Sequence, residues 1–214
     1  MKQGKTLSMV QLALLTALIV MLSFIPYIGY IKIPVLAVQA TTIHIPVIVG
    51  SILLGPKAGG FLGFVFGLTS LINNTTQPGL TAFCFSPFIS MGEGLGGSPL
   101  ALVVCFLPRI LTGVVPHYVY QGLQKLPKKG GPGKISLLLA GVAGSMTNTI
   151  LVMGMIYLFF GSAYAAARGL AYEAVLGVIL GVVGTNGTIE ALLAALLSGA
   201  ICLAVMKANI LKTK

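Results

Sequence analysis

The chain has 214 residues, of which 57% are hydrophobic and 7% charged, and its three acids are Glu93, Glu173 and Glu190. Soluble domains carry about 25% charged residues, so a water-soluble globule is excluded. A bilayer crossing takes roughly 20 apolar residues. The length therefore fits a single transmembrane domain over 1–214 and leaves no room for a separate soluble one. The net charge of +10 would point to nucleic acid in a soluble protein. Here lysines in the connections between apolar runs account for it, and no nucleic-acid partner is expected.

The first apolar run, 6–26, follows Lys2 and Lys5. It exceeds the roughly 7–15 apolar residues of a signal peptide, and no small-x-small cleavage site follows it directly, so it is read as a retained transmembrane helix. Its Ala13 and Ala17, four apart, share one helix face where another backbone can approach closely. A short run, 42–54, begins near His44. The next, 58–72, carries Gly59, Gly63 and Gly67 at every fourth position, a spacing expected to pack against the protein's own helices. It ends in a polar cluster of Asn73, Asn74, Thr75 and Gln77, which also reads as a helix end and turn.

The fourth run, 99–121, holds Arg109, and the fifth, 135–160, is interrupted by Thr147, Asn148 and Thr149. The stretch 173–183 is too short to span and is studded with glycines. It is read as a short helix or re-entrant element leading into the last run, 188–206. There Ala191, Ala195 and Gly199 again share a face, and Asn186 and Glu190 stand four apart at the start. With both termini cytoplasmic, ten lysines (2, 5, 57, 125, 128, 129, 134, 207, 212 and 214) lie inside, and Lys32 and Arg168 lie outside. That bias obeys the positive-inside rule and requires an even number of spans. The expected fold is an all-α integral membrane protein, a six-helix bundle with both termini cytoplasmic. Its long outer loops, 27–41, 73–98 and 161–187, suggest a binding site that faces outward.

Ionisable residues inside a membrane are expensive and are functional suspects. Arg109 and Glu190 are the two plausible buried charges: they either neutralise each other or face a ligand, the arginine pairing a carboxylate bidentately. The candidate ligand-binding set is Arg109, Asn148, Asn186, Glu190, Asn73, Gln77 and Tyr157. Tyr157 and Tyr164 would stack on a ligand or anchor the interface. His44 and His117 stand alone and are expected to be hydrogen-bonded interfacial residues, and Cys84, Cys105 and Cys202 small packing residues. No Gly-x-x-x-x-Gly-Lys-Ser/Thr or His-Glu-x-x-His occurs, so neither a metal nor a cofactor is expected. A membrane enzyme would need convergent titratable groups that three acids hardly supply. A binding subunit of an importer and a self-sufficient carrier or channel both remain open, although no inverted repeat of the common carrier kind is visible.

Several segments carry a resemblance: Gln11-Leu-Ala-Leu-Leu-Thr-Ala17, Ile45-Pro-Val-Ile-Val-Gly-Ser-Ile-Leu-Leu-Gly-Pro-Lys-Ala-Gly-Gly60, Pro108-Arg-Ile-Leu-Thr-Gly113 and Asn148. Over nearly its whole length the chain resembles the substrate-binding S components of energy-coupling factor (ECF) vitamin transporters. The segment 43–56 and Phe64-Val-Phe-Gly-Leu-Thr-Ser70 look most like the pantothenate-specific members, with riboflavin-type members close behind. The resemblance implies a bacterial plasma-membrane subunit that captures a vitamin outside under the loop after the first span. It also implies a helix face at Ala13 and Ala17 that docks on a transmembrane T component. The subunit would then topple to deliver its cargo, with ATP hydrolysed by two partner ATPase chains.

Overall fold

The computed structural model describes residues 2–25, 30–33, 38–90, 92, 96–125 and 133–208. Among them the order is α1 (Lys2–Phe24), β1 (Tyr30–Ile33), β2 (Val38–Thr41), α2 (His44–Leu54), α3 (Pro56–Thr76), a single 3-10 turn (Ala82–Cys84), α4 (Leu100–Gln124), α5 (Lys134–Arg168), α6 (Tyr172–Val182), a π turn (Val183–Gly187) and α7 (Thr188–Lys207). The chain is a helical bundle. Lys5–Phe24, Leu100–Gln124, Lys134–Arg168 and the continuous Tyr172–Lys207 are each long and apolar enough to cross a membrane.

Glycine makes the tightest crossing. A Cβ on Gly59 would lie 1.9 Å from Gly113 O, and one on Gly63 would lie 2.1 Å from Arg109 O. One on Gly67 would lie 2.8 Å from the Phe106 ring. The pairs step down α3 as they step up α4, so the two helices are antiparallel with their backbones in contact, which only glycine permits. α5 and α7 repeat the arrangement: Gly187 faces Thr149, Gly141 faces Ala195, and Gly199 faces Leu138. The four-residue spacings in α3 and α7 are thus contacts between the protein's own helices, as their sequence implied.

α2 has 11 residues, and His44 through Ile52 are all buried. Pro46 is tolerated in its first turn, where an N–H has no helical acceptor. Gly55 at φ +97°, with Pro56 behind it, breaks the chain sharply into α3. The helix can be short because α1, α3, α4, α5 and α7 all pack around it. The outside of the bundle is apolar: Leu14, Leu158, Leu180, Leu192 and Leu196 are exposed.

Two expectations need correcting. The fifth run does not stop at residue 160: α5 continues to Arg168, and the proposed outer loop 161–187 is helical apart from the turn at 169–171. Its Ser-Ala-Tyr-Ala-Ala-Ala-Arg sequence is rich in the best helix former. Gly169 at φ +65° then supplies the left-handed cap. The stretch 173–183 is helical, as expected, but it runs on through the π turn into α7. Second, the loop after α1 contains an antiparallel hairpin, with Tyr30 opposite Thr41 and Ile33 opposite Val38. Its second strand packs on the π turn and the start of α7.

Candidate functional site

Two apolar clusters fill opposite ends of the bundle. One contains Phe83, Val104, Ile156, Phe160 and Val175, and the other Ile48, Leu137, Ala140 and Ala194. On α5 the residues between Ala140 and Val152 belong to neither. That gap holds Ser145, Asn148 and Thr149, all buried, a polar layer on this helix between the two clusters.

Arg109, on α4, is 6% exposed. Pro108 lacks an N–H, so the carbonyl of Val104, four residues back, loses its helical donor. Arg109 Nη1 donates to that oxygen at 2.8 Å. The guanidinium carbon lies 5.0 Å from the Phe85 ring centroid and 5.6 Å from that of Phe66, a cation–π arrangement that offsets part of its desolvation. Nε is buried without a hydrogen-bond partner.

Glu190 comes from the first turn of α7 and is likewise 6% exposed. Its Oε1 accepts the Thr41 backbone N–H at 2.6 Å, and its Oε2 accepts the Thr149 hydroxyl at 3.3 Å. The carboxylate therefore ties the end of β2 to α5, and no ion pair joins it to Arg109. The π turn precedes it directly, and such turns often mark functional sites.

Gly144 fixes the relative heights. A Cβ there would lie 2.7 Å from both Ile48 Cγ1 on α2 and Pro116 Cγ on α4. α2 and α4 run against α5, so His44, one turn before Ile48, comes level with Asn148. Asn148 Oδ1, Ser145 Oγ and both ring nitrogens of His44 are buried without partners. With Arg109 Nε these are five of the six such atoms among the described residues; the sixth is Gln11 Oε1 on α1. Buried polar groups are nearly always paired, so these atoms mark the candidate site.

A family model for the substrate-specific component of ECF transporters matches residues 7–201. The chain belongs to this family. The ECF component is 38% identical over 210 residues, 98% of each chain, to the pantothenic acid transporter PanT of Lactococcus lactis subsp. cremoris. It is 27% identical over 203 residues, 94% of this chain and 93% of the other, to the pantothenate transporter PanT of Leuconostoc mesenteroides subsp. mesenteroides. It is a multi-pass membrane protein of a transport family, not of an enzyme class.

Within this ECF component, the sequence-derived candidates divide. Arg109, Asn148 and Glu190 are all buried, and Glu190 meets Thr149, the neighbour of Asn148. Asn73 Nδ2 donates to Ser23 O at 2.7 Å and ties α3 to α1. Gln77 caps α3 and is exposed. Asn186 is half-buried in the π turn, where its Oδ1 accepts from the Thr185 hydroxyl at 3.1 Å. Tyr157 stacks on Tyr172, with centroids 6.2 Å apart, and Tyr164 is buried beneath Arg168. Ala13 and Ala17 are exposed on α1. The three cysteines are free and buried.

His117 is hydrogen-bonded as expected: its N–H donates to Ser51 Oγ, and its Nδ1 lies 3.1 Å from Ser51 O. His44 departs from that expectation in being fully buried, its ring lying against the Glu190 backbone. Sequence reasoning also missed Ser145 and the Phe66 and Phe85 rings. The signal for His44 was available, since a histidine beside an apolar run is suspect on the same grounds as Arg109.

Proposed function

We propose that this ECF component binds pantothenate from outside and hands it to an ATP-driven importer. The observation that carries the reading is the buried guanidinium of Arg109, set over two aromatic rings with its Nε unpartnered. Pantothenate is a small, flexible, hydroxylated acid. Its carboxylate suits the guanidinium, and its hydroxyl and amide groups suit the Asn148 region. The names of the two relatives point to the same substrate.

Glu190 has both oxygens engaged and acts here as the fastening of the hairpin, which serves as the lid. The chain crosses the membrane six times with both ends cytoplasmic, the α6–α7 helix counting as one crossing, and ten lysines against two outer basic residues support that orientation. The exposed Ala13–Ala17 face of α1 docks on the T component, and two ATPase chains provide the energy for toppling.

Reconstitution tests the reading. The purified chain should bind pantothenate by itself. Proteoliposomes should take up the vitamin only when the T component, both ATPases and ATP are present. Uptake by the chain alone would replace this reading with a self-sufficient carrier.

A further inference from the structure

A proline inside a helix removes one backbone hydrogen bond and crowds the carbonyl four residues back. In a membrane that freed carbonyl must find another donor within the protein. Pro108 lies inside α4, fully buried and directly before Arg109, and the donor that Val104 O finds is Arg109 Nη1. We propose that Pro108 is a positioning residue for substrate binding: by freeing Val104 O it holds one arm of the Arg109 guanidinium, so that the buried Nε–H is set in place before an acidic substrate arrives. The proposal rests on the reading of Arg109 as the partner of the substrate's carboxylate and deepens it.

Three observations carry it. The Arg109 Nη1 to Val104 O bond is 2.8 Å long, and the residue that would supply the helical donor to that oxygen is the proline itself. Second, the backbone between these groups is fixed against α3 at both ends. Cys105 Sγ donates to Gly67 O at 3.2 Å, and a Cβ on Gly63 would lie 2.1 Å from Arg109 O. α4 therefore has little room to shift here, and what the Val104 carbonyl meets depends on residue 108. Third, an arginine has five N–H donors in a rigid fork. Here Nη1 is engaged while Nε is buried without a partner. A long side chain gives up freedom when it binds a ligand, and holding it beforehand avoids that cost.

The test uses the full chain in lipid nanodiscs and two ligands, pantothenate and its uncharged amide analogue. Pro108→Ala restores an N–H for Val104 O. It should weaken pantothenate about tenfold and the amide by less than about twofold, while the melting temperature holds or rises with the regained helical bond. Pro108→Gly restores the same N–H without alanine's helix propensity and should lose the same discrimination. In an Arg109→Met background, Pro108→Ala should have little further effect, because its influence passes through the guanidinium. Equal losses for acid and amide, unchanged affinity for the acid, or an undiminished effect in the Arg109→Met background would overturn the proposal. Failure of both proline variants to fold would make the residue structural and overturn it too. Failure of the wild type to bind pantothenate would overturn the substrate reading and this inference with it, whereas wild-type binding with equal losses overturns this inference alone.

Discussion

Gly63→Ala tests whether the α3–α4 backbone contact sets the position of Arg109. The new methyl carbon would lie 2.1 Å from Arg109 O, about 1.3 Å short of the 3.4 Å at which ordinary contact begins, and 2.8 Å from Arg109 C and Ile110 Cα. All three are backbone atoms, so no side-chain rotation relieves the clash and the helices must part by about an ångström. Overpacking of this kind costs about 1–3 kcal/mol. Alanine recovers about 0.5–1 kcal/mol of helix propensity, leaving a net loss of about 1–2 kcal/mol. At about 2–4 °C per kcal/mol for a chain of this size, the melting temperature in detergent should fall by a few degrees. Substrate affinity should fall about tenfold as the guanidinium is displaced.

Gly60→Ala is the control on the same helix. Its Cβ would meet Val114 Cγ2 at 3.4 Å and Ile110 Cγ2 at 3.9 Å, so it should be neutral or slightly stabilising. A Gly63→Ala protein that melts and binds like Gly60→Ala would refute the reasoning.

Arg109→Met keeps the apolar stem and removes the charge. It should weaken pantothenate by at least tenfold while changing its uncharged amide analogue little, as measured by equilibrium binding; equal losses would make Arg109 structural. Glu190→Ala removes the acceptor of the Thr41 N–H, a bond to a charged group worth about 1.5–3 kcal/mol. It should speed ligand release at least tenfold in stopped-flow measurements, whereas Glu190→Gln, which keeps an acceptor oxygen, should do so less. Replacing Ala13 and Ala17 together with leucine should block assembly with the T component in pull-downs and leave binding by the isolated chain intact. Loss of binding with normal assembly would contradict the docking role.

Much of the bundle was legible because hydrocarbon leaves few options. Apolar runs had to be helices, and small residues at every fourth position had to be contacts. The clash distances at Gly59, Gly63 and Gly199 show those contacts to be internal. Arg109 and Glu190 stood out because buried charge is rare, but composition could not say that each would find its own partners. Val104 O becomes available to Arg109 through a proline whose effect lies four residues away. Thr41 reaches Glu190 from a distant part of the chain. The end of α5 was misjudged because Gly161 and the small residues after it look like a loop on a hydropathy scale, although their helix propensity is high. The full burial of His44 was not legible because isolation in sequence says nothing about what surrounds a residue in space.

The shortness of α2 has an electrostatic consequence. A helix that begins inside a bundle brings its N-terminal end, with about half a positive charge from its aligned peptide dipoles, into the interior. Here that end is at His44, whose ring lies against the Glu190 backbone. The Glu190 carboxylate accepts the N–H of Thr41, three residues before that end. The acid is thus met by a peptide N–H and the Thr149 hydroxyl, while the Arg109 guanidinium lies over Phe66 and Phe85.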